Sequence, residues 1–301
     1  MERRRMNLVG LMPCRNESWI IGLSARVALQ WCDSIVILDH ASTDNTRAVL
    51  QALCNEFPDR VGLLRVSDPM WMEMEHREMM LRWARANGRE SGATHIAIID
   101  ADEILTANLV SGIREHVAGL SHEAMMMLPG YNLRGSMSRY HLNGLWGQRW
   151  FSTAFKDINT AGWRGNTFHR REPAGVRWNC WNRPIKQGQG GVLHLWGASE
   201  LRLTAKHALY QVTERLRWPE KSTEAIRFEY SQWRDGRPAM GDTPDTWTYA
   251  DVPANWIAPY ADLMAEHLHL DAEPWQAAEV RRLVAEHGQE WFEGLDLFGM
   301  I

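Results

Sequence analysis

The stretch HIAIIDADE at residues 95–103 decides the fold of this chain. Its apolar run is the length of a buried strand, and it delivers two aspartates to the C-terminal end of that strand. If the backbone stays extended, alternation places Asp100 and Asp102 on the same side. Paired carboxylates there suit Mg²⁺ or Mn²⁺, which take oxygen ligands and are usually shared with substrate phosphates. The competing interpretation is that both aspartates cap a helix expected at about 103–115.

Strand and helix patterns alternate on the N-terminal side of this stretch. Strands are expected at 7–12, 34–39, 61–66 and 94–100, and helices at 17–31, 46–53 and 73–87. This order predicts the α/β class, with a Rossmann-like, mostly parallel sheet flanked by helices. Ligands of such sheets bind at the carboxyl ends of the strands. Asp39 and Asp100, which end the second and fourth strands, are therefore expected at one crevice.

The C-terminal side of the stretch changes character twice. An irregular part rich in Gly, Trp and Arg carries strand patterns at 124–128, 145–151 and 191–196. Helices are then expected at 199–217, 222–233, 257–269 and 274–288, with a loop at 235–253. We therefore expect a first domain over 1–198, with halves at 1–105 and 106–198 that differ in pattern. A helical C-terminal region, 199–301, would pack on it.

Charge and composition limit the possible partners. Lys and Arg number 33 and Asp and Glu 37, which gives a net charge of −4 and argues against a broad nucleic-acid surface. A local basic patch stays open, because five arginines lie close in sequence: Arg164, Arg170, Arg171, Arg177 and Arg183.

Targeting signals and thiol chemistry point to one compartment. The apolar stretch after the charged start MERRRM is too short for a secretory signal, and no run is long enough for a transmembrane segment. The four cysteines show no CxxC spacing and are expected to be free thiols. These features favour the cytoplasm.

Tryptophan is the compositional outlier, with 16 Trp against 6 Tyr and 7 Phe. Flat indole rings stack on sugars and bases, although they also fill cores. Only four precede Glu103, namely Trp19, Trp31, Trp71 and Trp83. A functional excess of tryptophan would therefore belong to the part of the chain after Glu103.

Two further motifs make the aspartate pair more specific. PCRNE at 13–17 follows the first strand, and VILDHASTD at 36–44 ends the second. Together with the aspartate pair and in this order, they resemble family 2 glycosyltransferases with the GT-A fold. The resemblance covers 7–105 well and 106–218 loosely, and no family motif matches the remainder.

The resemblance implies roles at the donor nucleotide. Asp39 corresponds to the acid that contacts the nucleobase, and Pro13, Arg15 and Glu17 would flank the same nucleoside. A UDP-linked sugar is the expected donor. Where many members have Asp-Gly or Asn-Gly, this chain has His40 followed by alanine, so the nucleobase stays open.

The resemblance also implies a metal at the donor diphosphate. Asp102 would ligate Mn²⁺ or Mg²⁺, and Asp100 would hold the ribose or the metal through water. Arg77 corresponds to a basic residue that reaches the nucleotide, unless it only pairs with a neighbouring glutamate on its helix. His194, in GGVLHLW at 190–196, corresponds to a histidine that completes the metal shell or contacts the diphosphate.

An inverting transferase needs a carboxylate that removes the acceptor's hydroxyl proton. WRGNTFHRRE at 163–172 resembles a family stretch with a histidine and a nearby glutamate, which favours Glu172. Asp157 is the next candidate and Glu200 a third. A retaining mechanism would need no such base.

Several other functions remain open. A nucleotidyltransferase would bring a glycine-rich first loop, which PCRNE is not. The acceptor is a glycan or another hydroxyl compound, and hydroxymethylated DNA bases stay possible through the arginine-rich middle. A non-catalytic GT-A-like module that only binds a glycan or nucleotide is the alternative from another class. The oligomeric state does not follow from the sequence.

Overall fold

The computed structural model describes residues 6–70, 72–87, 92–144, 146–147, 149–164, 170–176, 181–235 and 248–301. The strands are β1 (Leu8–Cys14), β2 (Ser34–His40), β3 (Val61–Val66), β4 (His95–Ile98), β5 (Glu103–Leu105), β6 (Met125–Asn132), β7 (Arg139–His141), β8 (Arg149–Lys156), β9 (Trp181–Asn182), β10 (Val192–His194) and β11 (Tyr249–Asp251). The α-helices are α1 (Ile21–Ala28), α2 (Thr46–Glu56), α3 (Glu73–Asn87), α4 (Ile113–Ala118), α5 (Glu200–Arg217), α6 (Thr223–Asp235), α7 (Ala254–Ile257), α8 (Ala261–His267) and α9 (Trp275–His287). Short 3-10 helices cover Ala107–Leu109, Ala258–Tyr260 and Gln289–Phe292.

A large sheet organises the chain in the order β3-β2-β1-β4-β8-β6-β10-β5, with β9 paired to β6. β1 lies between β2 and β4 and is parallel to both, and β3 continues the parallel part. β8 is antiparallel to both β4 and β6. The expected α/β class, with a mostly parallel sheet flanked by helices, is confirmed.

The apolar character of β1 and β2 explains their central place in the sheet. Val9, Leu11, Val36 and Leu38 are fully buried, as expected for strands covered on both faces. Met80 of α3 belongs to the same core cluster. This packing fixes the carboxyl edge of the parallel strands, where Asp39 lies near the end of β2 and Asp100 follows β4.

The chain after β4 differs from its expected form. The extended backbone ends at Ile98, and a turn at 101–102 is closed by the Glu103 N–H donating to the carbonyl of Asp100. The expected helix from 103 is wrong, because β5 comes first and α4 begins at Ile113. The carboxylate of Glu103 is buried and accepts a hydrogen bond from the Asp100 N–H, which favours the turn over a helix start.

Three further boundaries differ from expectation. α1 begins at Ile21 and not at 17, because Asn16 takes a left-handed conformation with φ of 55°. The helix expected at 257–269 is divided into α7, a 3-10 helix and α8, with a proline at the start of the 3-10 segment. The loop expected at 235–253 contains β11, which pairs with β7; residues 236–247 lie outside the described residues.

By its internal contacts the chain divides into two compact units. The first comprises Met1–Gly130, Arg149–Leu193 and Ala254–Leu268, and the second Tyr131–Gln148, His194–Pro253 and His269–Ile301. A second apolar core, formed by residues of α5, α9 and the C-terminal segment, lies in the second unit. Within the described ranges, no helix combines the length and the apolar character needed to cross a membrane.

Candidate active site

The structure places Asp39 and Asp100 at the same edge of the sheet. Asp39 aligns with Cys14 at the end of β1, and Ile98, two residues before Asp100, aligns with Leu11. Because β1, β2 and β4 are parallel, the segments that follow them leave the sheet on one side.

The loops after β1 and β2 are tied together by one amide side chain. The Oδ1 atom of Asn16 accepts hydrogen bonds from the backbone N–H groups of Thr43 at 2.6 Å and Asp44 at 3.2 Å. The Asn16 N–H donates to Oγ of Ser42 at 2.9 Å. Asn16 belongs to the PCRNE motif, but the sequence did not predict that it connects the two loops. The backbone of Asn16 is left-handed, a conformation that asparagine adopts more readily than most residues, so an asparagine directly after a strand could have indicated a turn here.

Asp39 is held by protein partners in this structure. Its side chain is 1% exposed, accepts a hydrogen bond from the Ser42 N–H at 3.1 Å and pairs with Nε of Arg47 at 3.2 Å. Arg47 is itself more than half exposed. A hydrogen-bonding ligand could therefore reach Asp39 by displacing a solvated guanidinium.

The residues expected to flank the nucleoside lie at the end of β1 and in the loop that follows it. Pro13 lies in β1 and is half-buried. Arg15 donates from Nη1 to the carbonyl of Pro69 at 2.8 Å, which joins this loop to the segment after β3. Glu17 accepts a hydrogen bond from Nε1 of Trp19 at 2.6 Å.

Two buried histidines lie close together, His40 at the end of β2 and His76 in α3. The rings of His40 and His76 have centroids 4.5 Å apart, and both side chains are buried. Burial, followed by the charge of Arg15, lowers the pKa of His40 below its ordinary value. Burial, followed by the proximity of His40, lowers the pKa of His76 to about 4. Both rings are neutral near pH 7.

Asp100 belongs to a compact charged group that we call the β4-end cluster, formed by Asp100, Glu103, Arg77 and Arg171. Nη2 of Arg77 lies 3.1 Å from Oδ1 of Asp100, and Nη1 of Arg171 lies 2.7 Å from Oδ2. Both oxygens of the Asp100 carboxylate are thus bound to guanidinium groups. Arg77 is oriented by Glu73, one helical turn earlier, at 3.1 Å.

Arg171 makes most of the contacts in this cluster. Its Nη1 and Nη2 donate to the two carboxylate oxygens of Glu103 at 2.6 and 2.9 Å. Nη2 also donates to the carbonyl of Ile98 at 3.1 Å, and Nε to that of Ser152 at 3.3 Å. Burial lowers the pKa of Arg171, but the charges of Glu103 and then Asp100 raise it more, and the net result is above its ordinary value. From the sequence, Arg171 was only one of five arginines in a basic run, and its contacts with Asp100 and Glu103 were not predicted.

One nitrogen of the cluster, Nη1 of Arg77, is available to bind a ligand. Arg77 is 3% exposed, and its Nη1 is buried without a hydrogen-bond partner among the described residues. A buried donor left unpaired costs on the order of 1–3 kcal/mol, so a ligand oxygen at this position would recover that cost.

The expected metal pair fits a divalent ion only in part. Asp100 does not fit, because its two oxygens already bind guanidinium groups. Asp102 is half-buried in the turn after β4, and a single carboxylate together with donor phosphates is an ordinary Mg²⁺ or Mn²⁺ site. The described part of the chain contains no group of three or more His, Cys, Asp or Glu side chains placed to hold an ion.

The two base candidates have different surroundings. Asp157 is 3% exposed and receives two hydrogen bonds from Arg85, at 2.8 and 2.7 Å, which fasten the end of β8 to α3. Glu172 is half-buried and accepts a hydrogen bond from the hydroxyl of Ser152. Because a hydroxyl is more easily displaced than a paired guanidinium, Glu172 is the better placed of the two to accept a proton. Residues 165–169 of its motif lie outside the described residues.

His194 lies in the second unit, in a neutral group that we call the Asn132 cluster: Asn132, His194, Trp196 and Trp146. Oδ1 of Asn132 accepts from Nδ1 of His194 at 2.9 Å and from Nε1 of Trp196 at 3.2 Å. Nδ2 of Asn132 donates to the carbonyl of Trp146 at 2.8 Å. An amide oxygen partner places the proton on Nδ1 in the neutral ring and orients the imidazole. Asn132 was not anticipated, and no sequence signal singled it out.

An aromatic surface in the first unit is formed by residues of β8 and β9. Arg183 lies 4.6 Å above the ring of Trp150 and 5.9 Å from that of Trp181, which is 45% exposed. Trp150 shares β8 with Ser152, the partner of Glu172. Exposed indole and guanidinium planes of this kind can stack on a ligand.

Comparisons with known proteins give structural likenesses alone. No family model matches, and no curated protein does. The chain resembles S. aureus TarS 1-349 in complex with UDP-GlcNAc, with 10% identity and a TM-score of 0.43 over 96% of this chain and 91% of that one. Against TarS 1-349 in complex with UDP, the match has 13% identity and a TM-score of 0.37, over 50% of this chain and 47% of that one.

A third solved structure has a comparable likeness. The mannosyltransferase PcManGT from Pyrobaculum calidifontis, in complex with GDP-Man and Mn²⁺, matches with 13% identity and a TM-score of 0.39, over 95% of this chain and 76% of that one.

Proposed function

We propose that this chain is a glycosyltransferase of the family 2 type that moves a sugar from a nucleotide-sugar donor to a hydroxyl acceptor. One observation carries the proposal. Asp39 near the end of β2 and Asp100 after β4 lie at a single carboxyl edge, where Nη1 of Arg77, beside Asp100, is buried without a hydrogen-bond partner among the described residues. This edge is where α/β sheets bind nucleotides, and a guanidinium donor suits their phosphate or ribose oxygens.

The donor nucleotide would lie along the loops after β1 and β2. Pro13, Arg15 and Glu17 would flank the nucleoside, and Asp39 would accept a hydrogen bond from the nucleobase after exchanging Arg47. A UDP-linked sugar is the proposed donor. Arg47 is more than half exposed, so water can solvate its guanidinium once the nucleobase takes its place at Asp39.

The diphosphate would lie next to the end of β4. Asp102 would hold Mn²⁺ or Mg²⁺ together with the donor phosphates, whereas a metal or diphosphate role for His194 rests on the family resemblance alone. When bound, the ion neutralises charge on the leaving diphosphate. Nη1 of Arg77 would donate to a donor oxygen, and Asp100 would keep Arg77 in position through its own ion pair.

Transfer would proceed with inversion. Glu172 would accept the proton of the acceptor hydroxyl while that oxygen bonds to the anomeric carbon. The bond from this carbon to the diphosphate breaks, and the nucleoside diphosphate leaves with the electron pair. Asp157 is the second candidate base, although its bonds to Arg85 favour a structural role.

The acceptor would lie on the tryptophan-rich side of the molecule. Trp150 is two residues before Ser152 in β8, and Ser152 is the hydrogen-bond partner of Glu172. The surface that contains Trp150, Trp181 and Arg183 would therefore bind a glycan or other hydroxyl acceptor next to the base.

The proposed catalytic domain comprises residues 1–198, and the proposed helical region comprises residues 199–301. Cys14, Cys32 and Cys54 are free thiols, which favours the proposed cytoplasmic location.

A second candidate function has one observation in its favour. Because both oxygens of Asp100 are occupied by arginines, the chain could bind a nucleotide sugar without turning it over. Such a module would bind the donor but release no nucleotide.

A donor panel separates these possibilities. UDP- and GDP-sugars are incubated with the full chain, with Mn²⁺, Mg²⁺ or EDTA, and nucleotide release and donor binding are both measured. We expect metal-stimulated release with one donor, reduced on the order of 100-fold in Asp102→Asn. Asp59→Asn, which changes an exposed acid, is the matched control.

The outcomes divide clearly. Binding without release would favour the non-catalytic module. Neither binding nor release with any donor, or full activity in Asp102→Asn, would contradict the proposed transferase.

A further inference from the structure

We propose that the guanidinium of Arg171 is the resident cation at the end of β4 and that it excludes a divalent ion from Asp100 and Glu103. The inference stands on the contacts of the β4-end cluster and does not depend on transferase activity. The guanidinium of Arg171 would occupy the position between Asp100 and Glu103 where paired carboxylates commonly bind a metal ion.

The geometry of a single nitrogen carries the first step. Nη1 of Arg171 lies 2.7 Å from Oδ2 of Asp100 and 2.6 Å from Oε1 of Glu103, so it bridges two carboxylates. Mg²⁺ and Ca²⁺ bind such oxygens at about 2.0–2.6 Å. An ion that bridged the same two oxygens would have to occupy the space of Nη1.

The second step is that Arg171 is firmly held. Besides the two carboxylates it donates to the carbonyls of Ile98 and Ser152, which belong to β4 and β8. Its side chain is 17% exposed, and its plane also lies over the ring of Phe151, with 5.4 Å between the guanidinium carbon and the ring centroid. A divalent ion would therefore have to break a five-bond arrangement that spans neighbouring strands.

Charge balance gives the third step. The carboxylates of Asp100, Glu103 and Glu73 pair with the guanidiniums of Arg77 and Arg171, and Glu172 adds a further negative charge near Arg171. The two arginines compensate two of these four negative charges. Removing Arg171 would leave the carboxylate of Glu103 and Oδ2 of Asp100 without its guanidinium, and carboxylate oxygens are the ligands of a hard cation.

The test measures Mn²⁺ binding to the full chain by the electron paramagnetic resonance signal of free Mn²⁺, with no nucleotide present. Thermal unfolding with and without Mn²⁺ provides a second measurement. Wild type is expected to show no Asp100-dependent binding up to about 1 mM Mn²⁺. Arg171→Gln is expected to gain affinity by about tenfold or more and to be stabilised by Mn²⁺.

Matched variants isolate the cause. Arg171→Lys keeps a positive charge and should gain nothing, and the double change Arg171→Gln with Asp100→Asn should lose the gain. Arg82→Gln, on the exposed side of α3 and paired with Glu78, controls for the loss of an arginine elsewhere. Equal Mn²⁺ binding in wild type and Arg171→Gln would overturn the proposal.

The proposal remains testable if Arg171→Gln does not fold. Mn²⁺ that binds saturably to wild type and is lost in Asp100→Asn would overturn it on its own. Because these experiments contain no donor, a failure of the proposed transferase activity would be seen separately, in the donor panel.

Discussion

The β4-end cluster and the Asn132 cluster organise their side chains in opposite ways. In the first, two arginines bind the carboxylates of Asp100 and Glu103. In the second, one neutral amide oxygen orients an imidazole and an indole. The charged arrangement depends on every partner, because a buried charge left alone is costly, whereas the neutral arrangement loses only a hydrogen bond.

The largest expected effect breaks the charged cluster. Arg171→Met removes the guanidinium that pairs with the buried carboxylate of Glu103 and with one oxygen of Asp100, and we expect a loss of roughly 3–5 kcal/mol in the free energy of unfolding. Urea unfolding of the full chain measures it. Arg82→Met, which removes a 76% exposed arginine from an ion pair on α3, should change stability by about 0.5 kcal/mol or less. Equal losses in both variants would contradict the importance given to Arg171.

The next effect separates a catalytic from a structural carboxylate near the charged cluster. Glu172→Gln should lower kcat on the order of 100-fold while the urea midpoint stays close to wild type. Asp157→Asn should instead reduce stability, because Arg85 loses its charged partner. The opposite assignment of losses would make Asp157 the base.

Acidification tests the neutral groups of the first unit. The pKa values of His76 and His95 are lowered to about 4, chiefly by burial, so the unfolded chain takes up these protons first as the pH falls below about 6.5. Stability should therefore be complete above pH 7 and decline between pH 6.5 and 4. Each histidine contributes roughly 2 kcal/mol of this loss at pH 5.

The measurement for this pH dependence is urea unfolding from pH 7.5 to 4.5. Wild type should show the steeper decline and His76→Gln a shallower one. Identical pH profiles for the two proteins would show that His76 is not buried as a neutral ring.

The smallest effect concerns the neutral cluster. Asn132→Leu removes the acceptor shared by His194 and Trp196, and we expect a loss of about 1–2 kcal/mol. Tryptophan fluorescence during urea unfolding measures both stability and the environment of Trp196. A loss as large as that of Arg171→Met would remove the contrast between the two clusters.

The sequence was sufficient for the parts of the molecule that local patterns determine. Apolar runs predicted β1 to β4. The parallel order of these strands predicted that Asp39 and Asp100 lie at the same carboxyl edge of the sheet. Arg171 could not be assigned in this way, because its partner Asp100 lies 71 positions away and a run of arginines does not indicate which one turns inward. Sequence pattern likewise could not show that Glu103 is drawn into β5 by a buried carboxylate rather than starting a helix.

The most direct measurement is calorimetric titration of the full chain with a UDP-sugar, comparing wild type with Arg77→Lys. The ammonium keeps the charge but cannot reproduce the Nη1 donor, which is buried beside Asp100 and has no hydrogen-bond partner within the described ranges. We predict saturable binding by wild type that is weakened about tenfold or more in Arg77→Lys. Binding should be unchanged in the control, Arg82→Lys on the same helix. Equal binding by wild type and Arg77→Lys, or no binding of any nucleotide sugar, would contradict a donor site at this edge of the sheet.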